Sequence, residues 1–408
     1  MVAHHEASRA AAITGVGVVS PLGASFAAVA DELLAGRSGV REIAAAAGAR
    51  AGRQFAAPVV EVPVPAWPGC ADFAELGRLE QLCLAPSAAA LVDAGPAAVS
   101  AGTRLGIVLG IGAEHLKAWE LDFLAGGRRV FEPRRDDTLV HRLARRLGIA
   151  GPAVTVAAAC ASSGYALALG RAWLEAGQVD ACLVGGCDIL SPTAIAAFHN
   201  LRALSRRCDD PARASRPFDR DRDGFVMGEG GAFFLLEHRA AAARRGARVY
   251  GELVGVGMSS DAHHMVAPCG DPREAARAIS TALADAGIEP AGVDYVNAHA
   301  AGTPVGDAAE AGAIRLAFGA AADAIPVSST KSMSGHLVSG AAAFEAVACL
   351  AAIHRNTVPP TINLDAVDPA CALDHVPHVA RRRRVDVAVS NSFGFGGANL
   401  CLVIRRAA

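Results

Sequence analysis

Eight short β-like runs recur along this chain, several of them apolar on both faces, and no other feature constrains the fold as much. They are "AAITGVGVV" (11–19), "RLGIVLGIG" (104–112), "DACLVGGCDIL" (180–190), "GAFFLLE" (231–237), "RVYGELVGVGM" (248–258), "VDYVNAHA" (293–300), "VDVAVSNSFG" (385–394) and "NLCLVIR" (399–405). A strand with one wet face alternates apolar and polar residues, whereas one sandwiched between helices is apolar on both faces. Alanine-rich stretches of helical spacing lie between the runs, so the class is α/β. With 408 residues, 52% of them hydrophobic, the chain can bury two domain-sized cores. The run at 248–258 opens a second cycle of strand, helix and strand. Two halves follow, 1–250 and 251–408, with a site expected between them. Their letters are too dissimilar to establish a repeat.

Several function classes fall away. A formal charge of −2 shows no global attraction to nucleic acid or to an anionic membrane. The first twenty residues lack a basic flank followed by an apolar core, and the long apolar stretch at 335–356 is interrupted by Glu345. The expectation is a cytoplasmic protein without a membrane span. Ten cysteines include no C-x-x-C pair, so neither a metal site nor a disulfide framework is expected. "TGVGVVSPLG" begins like a dinucleotide loop, but Ser20 stands where the third glycine belongs. "RRRR" at 381–384 reads as a solvated loop, and Arg37–Pro68 and Arg202–Gly230 as surface excursions.

"TVAAACASSG" (155–164) raises one thiol above the other nine. After Cys160, apolar residues recur at helical spacing through Trp173, which puts the cysteine at a helix N-terminus. Unpaired N–H groups and the helix dipole there favour an anion, and the expectation is a lowered thiol pKa. The plain alternative is a buried, inert cysteine. Three later stretches tip the balance. "VNAHAAGTPVGD" ends a strand with His299, and "VSSTKSMSGHLVSGAAAFEAV" sets Lys331 and His336 in a small-residue loop before Glu345. "SNSFGFGGAN" is a glycine-rich turn carrying Phe393 and Phe395. A carboxylate in so apolar a helix needs a partner or a proton, and Lys331 is the nearest preceding cation in sequence.

Taken in order, "ITGVGVVSPLG", "ACASSG", "RPFDRDRDGFVMGEGGAFFLLE", "STKSMSGH" and "NSFGFGGAN" resemble the β-ketoacyl-[acyl carrier protein] synthases, condensing enzymes of type II fatty acid and polyketide pathways. The resemblance implies a thiolase-like five-layer αβαβα fold of two similar halves. It implies a decarboxylative Claisen condensation of a Cys160-bound acyl group with malonyl-acyl carrier protein. Cys160 would be the nucleophile, His299 and His336 the catalytic histidines, and Lys331 the lysine beside them. Glu345 would pair with Lys331 and support His336, and Phe395 would gate the acyl pocket. Phe198 would line that pocket and Thr303 the pantetheine tunnel. The backbone N–H groups of Cys160 and Phe395 would form an oxyanion hole.

No resident cofactor is implied, since phosphopantetheine arrives on the acyl carrier protein. That carrier is acidic, and the cationic segment Arg202–Arg207 is its expected landing place. The expected assembly is a homodimer, or a heterodimer with a related ketosynthase or chain-length factor. The alternative role, a non-catalytic partner subunit like a chain-length factor, sits poorly with retention of Cys160, His299, Lys331 and His336. "HAAGT" (299–303) departs from the family's usual H-G-T-G-T at Ala300 and Ala301, and Ala398 stands where threonine is common. An unusual acyl donor or extender is therefore expected.

Overall fold

The structure, a computed structural model, describes residues 10–43, 54–100, 102–112, 114–127, 137–207 and 209–407. Fourteen strands are assigned: β1 (Ala11–Val19), β2 (Arg41–Ile43), β3 (Gln54–Ala56), β4 (Leu105–Gly110), β5 (Ala153–Val156), β6 (Ala181–Asp188) and β7 (Gly230–His238) precede β8 (Gly251–Ser260), β9 (Tyr295–Asn297), β10 (Val327–Ser328), β11 (Thr357–Val358), β12 (Arg381–Arg382), β13 (Val387–Gly394) and β14 (Ala398–Arg405). Ten of them form one hydrogen-bonded succession in the order β10-β9-β13-β14-β8-β1-β7-β6-β4-β5.

That order contains a duplication which the letters do not reveal. Read from each end, the pattern is two parallel pairings and then two antiparallel ones. It runs β5-β4-β6-β7-β1 in the first half and β10-β9-β13-β14-β8 in the second. The two fives meet where Ala11, Ala12 and Ile13 pair antiparallel with Leu253, Glu252 and Gly251. Glycines repeat the symmetry. A Cβ on Gly15 or Gly17 of β1 would lie 2.1 or 1.9 Å from the carbonyl oxygen of Ala90 or Pro86 in the outer helix Arg78–Ala94. A Cβ on Gly255 or Gly257 of β8 would lie 2.3 or 2.0 Å from that of Ala282 or Ala278 in the helix Arg273–Ala286. Only a residue without a Cβ lets helix and strand approach so closely.

The helices Ser162–Glu175 and Ala341–Arg355 share one core cluster in the interior, each following the edge strand of its half. The second is buried over Ala341–Ile353, which explains its continuous apolar sequence. The span Val338–Arg355 is long and apolar enough to cross a membrane, yet 83% of it is buried inside the protein.

Two expectations need correction. Arg381 and Arg382 are not a loop: they form β12, paired with Thr357 and Val358, and Arg381 holds Asp374 at 2.7 Å. Arg202–Gly230 is no surface excursion either, because Arg216, Phe218, Asp219 and Arg222 are buried. Burying these charges is tolerable because each is paired. Asp219 accepts from Arg216 and from the backbone N–H groups of Asp365 and Ala366. Of the Arg37–Pro68 segment, residues 44–53 lie outside the described residues.

Candidate active site

Cys160 sits in a single 3₁₀ turn, Ala159–Ala161, which runs directly into the helix Ser162–Glu175. The turn is strained: Ala159 has φ +48°, a left-handed conformation costing a non-glycine residue about 1–3 kcal/mol. Ser162 braces it, accepting from the Ala158 N–H at 2.9 Å and donating to the Ala159 carbonyl at 2.7 Å. The strain aims the thiol into the interior, where the Phe395 N–H reaches it and the Lys331 charge acts on it. Both favour the thiolate. Burial opposes them and wins, and the thiol is pushed up to about 11. The expected lowering at a helix start is thus outweighed by desolvation.

The second half supplies the other groups. His299 follows β9 in a turn locked from beneath by two buried carboxylates. Glu310 accepts the N–H groups of His299 and Ala300 at 2.8 and 2.7 Å, and the Asn391 side chain at 3.0 Å. Asp307 accepts from the N–H groups of Phe218, Gly302 and Thr303. Arg222 caps the same turn through the carbonyls of Thr303 and Pro304. Burial raises Glu310 to about 7 and Asp307 to about 6. Neither carboxylate stood out in the sequence, because both read as ordinary polar positions of the helix Pro304–Phe318.

Lys331 begins a short helix and points its ammonium between His299 Nδ1, 3.3 Å away, and Glu345 Oε1, with which it pairs. The side chains of Lys331 and Glu345 are 2% and 1% exposed, so the pair is fully internal. Here the structure corrects the expected support of His336. Lys331 bonds to His299, whereas His336 Nδ1 accepts the backbone N–H of Val338 at 3.2 Å. The two imidazoles stand edge to face with centroids 5.4 Å apart. Burial and the Lys331 charge hold both well below the usual histidine range, so both are neutral. With each Nδ1 occupied by a donor, the proton of each ring resides on Nε2. Each ring therefore keeps an N–H donor at Nε2.

An aromatic chain borders these rings. Phe395 lies 5.8 Å from Phe198, Phe198 5.2 Å from Phe225, and Phe225 5.3 Å from His336, all near edge-to-face. Phe225, Met227 and Ala301 form a small apolar cluster that Phe198 packs against. Phe395 starts a turn in which Gly396 and Gly397 have φ +83° and +78°. Thr303 stands at the N-cap position of the helix Pro304–Phe318 without a side-chain capping bond, close behind His299 in the chain.

Residues 8–242 match the family described as "Beta-ketoacyl synthase, N-terminal domain", and residues 250–365 match "Beta-ketoacyl synthase, C-terminal domain". The chain belongs to the β-ketoacyl synthase family. It is similar to a 3-oxoacyl-[acyl-carrier-protein] synthase 2 of Synechocystis sp., 39% identical over 407 residues that cover 97% of each chain. It is also similar to the tetracenomycin polyketide synthase ketoacyl synthase alpha subunit of Streptomyces glaucescens, 37% identical over 416 residues and 98% of each chain. Among solved structures, a beta-ketoacyl synthase from Burkholderia phymatum superimposes with a TM-score of 0.87 at 34% identity, covering 98% of this chain and 99% of that one. The ishigamide ketosynthase/chain length factor superimposes at 0.85 with 32% identity, covering 98% and 100%. The fold of this β-ketoacyl synthase is the thiolase-like αβαβα fold, its ten-stranded succession built from two matching halves.

Proposed function

We propose that this β-ketoacyl synthase condenses a Cys160-bound acyl group with malonyl-acyl carrier protein, giving 3-oxoacyl-acyl carrier protein and CO₂ in fatty acid or polyketide biosynthesis. The observation that carries the reading is the meeting of groups at Lys331, whose ammonium bonds His299 Nδ1 beside the neutral His336 and whose charge acts on the buried Cys160 thiol. In the first half-reaction, the Cys160 sulfur attacks the thioester carbonyl of an acyl carrier protein. The N–H groups of Cys160 and Phe395 receive the oxyanion. The phosphopantetheine thiol then departs with the proton that Cys160 gave up, so no base is left charged.

In the second half-reaction, the electron pair of the breaking C–COO⁻ bond moves into the enolate, and CO₂ leaves. His299 and His336 donate to the enolate oxygen. Its carbon attacks the acyl thioester, and the expelled Cys160 thiolate takes up one proton from solvent, restoring the thiol. CO₂ departure supplies the carbanion, which is why thiol and histidines suffice without a carboxylate base. Phosphopantetheine enters only as part of the carrier substrate, and we assign no resident cofactor or metal.

Similar solved structures include a type II PKS acyl-carrier protein in complex with its ketosynthase and a ketosynthase in complex with its chain length factor, which supports a dimer met by a carrier. We place the enzyme in the cytoplasm; the nine described cysteines are all unpaired, as in a reducing compartment. The test is intact-protein mass spectrometry with acyl-carrier protein. One acyl adduct, absent in Cys160→Ala, is expected; an adduct that survives that substitution refutes the assignment.

A further inference from the structure

One buried titratable group next to the site has no part in the steps above. Asp188 ends β6 and is buried, yet it forms no ion pair among the described residues. Its oxygens accept the N–H of Ile189 at 2.9 Å and the N–H of Ser339 at 3.2 Å, and the Ser339 hydroxyl also bonds to the carboxyl group. Burial without a cation raises its pKa and costs free energy that an apolar or amide side chain there would not.

What the carboxylate holds is the turn after His336. Val338 has φ +46°, a β-branched residue in the left-handed region, so this turn is strained as well. The strained conformation brings the Val338 N–H back onto His336 Nδ1, the bond that leaves Nε2–H as the donor. Strain of this kind persists only where surrounding contacts over-determine it. Asp188 holds the next residue, and Ser339 Oγ in turn accepts the N–H of Gly112 at 2.9 Å. Gly112 lies against both strained turns, which also touch each other directly: a Cβ there would lie 3.4 Å from Ser339 Oγ and 3.9 Å from Ala159 Cα. The Cys160 turn has its own brace in Ser162, so Asp188 positions the histidine side, while its charge also acts on the Cys160 thiol and raises it.

We infer that Asp188 is a positioning residue for the condensation: through Ser339 it keeps the Val338–Gly340 turn strained, and so holds the His336 imidazole in the orientation and tautomer that receive the enolate oxygen. The inference rests on His336 acting in the malonyl half-reaction.

The test compares Asp188→Asn, Ser339→Ala and, as control, His336→Ala in the dimeric enzyme with malonyl-acyl carrier protein. Asp188→Asn replaces one acceptor oxygen by a donor that faces an N–H. Its decarboxylation kcat should fall about tenfold or more, as for loss of an aligned oxyanion donor. KM for malonyl-carrier protein should change little, and the rate of Cys160 acylation, read by mass spectrometry, should not fall, because loss of the Asp188 charge favours the thiolate. Ser339→Ala keeps its backbone N–H and should show a smaller loss of the same kind. A folded Asp188→Asn enzyme that decarboxylates at the wild-type rate overturns the inference. So does one that loses acylation and decarboxylation in equal measure, since that is general structural damage. If Asp188→Asn does not fold, wild-type decarboxylation in Ser339→Ala overturns it instead. Undiminished decarboxylation in His336→Ala would remove the role of His336 itself, and this inference with it.

Discussion

Removing Glu345 tests whether the internal ion pair is scaffold or chemistry. Glu345→Ala leaves the Lys331 ammonium in a cavity where both partners had been at most 2% exposed. Breaking a buried pair from one side costs about 3–5 kcal/mol. An unfolding entropy of about 2.1 cal/mol/K per residue gives roughly 0.86 kcal/mol/K over 408 residues, so Tm should fall by about 4–6 °C if unfolding is two-state. Activity should fall with it, because Lys331 is then free to leave His299 Nδ1, and an imidazole without that donor no longer keeps its proton on Nε2. Scanning calorimetry and malonyl-carrier protein decarboxylation, measured on the same preparations, decide the matter. A Glu345→Ala enzyme that melts like wild type and fails only in decarboxylation would show that the carboxylate acts directly in chemistry. The scaffold role of the Lys331–Glu345 pair would then be refuted.

Four further outcomes are expected. Cys160→Gln should abolish condensation while malonyl decarboxylation persists, because the two histidine donors are untouched; loss of decarboxylation in a folded Cys160→Gln protein would count against a separate enolate site. Alkylation of Cys160 by iodoacetamide should rise about tenfold per pH unit from pH 7 to 10, as a thiol near 11 requires, and a plateau below pH 8 would contradict the dominance of burial. Glu310 has a folded pKa raised to about 7 from 4.5, so its contribution to stability is present below pH 4.5 and lost as pH rises towards 7; Glu310→Gln should flatten that limb of the Tm–pH curve. Arg206 and Arg207 are exposed, and reversing both to Glu should raise KM for carrier-bound substrate several-fold at low salt, less so above about 0.5 M; an unchanged KM would move the carrier to another face.

Much of the architecture was legible as letters. The residues of β1, Ala11–Val19, coincide with one apolar run, and the other seven strands differ from their runs by up to three residues at either end. The run of β9 overshoots its strand into the His299 turn. Two-sided burial forces two-sided apolarity, so these strands announce themselves. β10 and β12 did not, because two residues cannot carry a period. The motif residues were equally visible, since a thiol at a helix start and a carboxylate inside an apolar helix conflict with their local surroundings.

What sequence alone determined was therefore the set of apolar strands, the α/β class, the two halves and the residue types at the site. Tertiary structure decided the rest, since it depends on distances between residues far apart in the chain. The matching strand orders of the two halves became visible only through pairing. Lys331 turned out to serve His299, and a backbone N–H to serve His336, because the folding of each turn sets which nitrogen is within reach. Burial raised the Cys160 thiol, against its helix-start position, because desolvation is a property of the whole packed core and not of the ten residues around the cysteine.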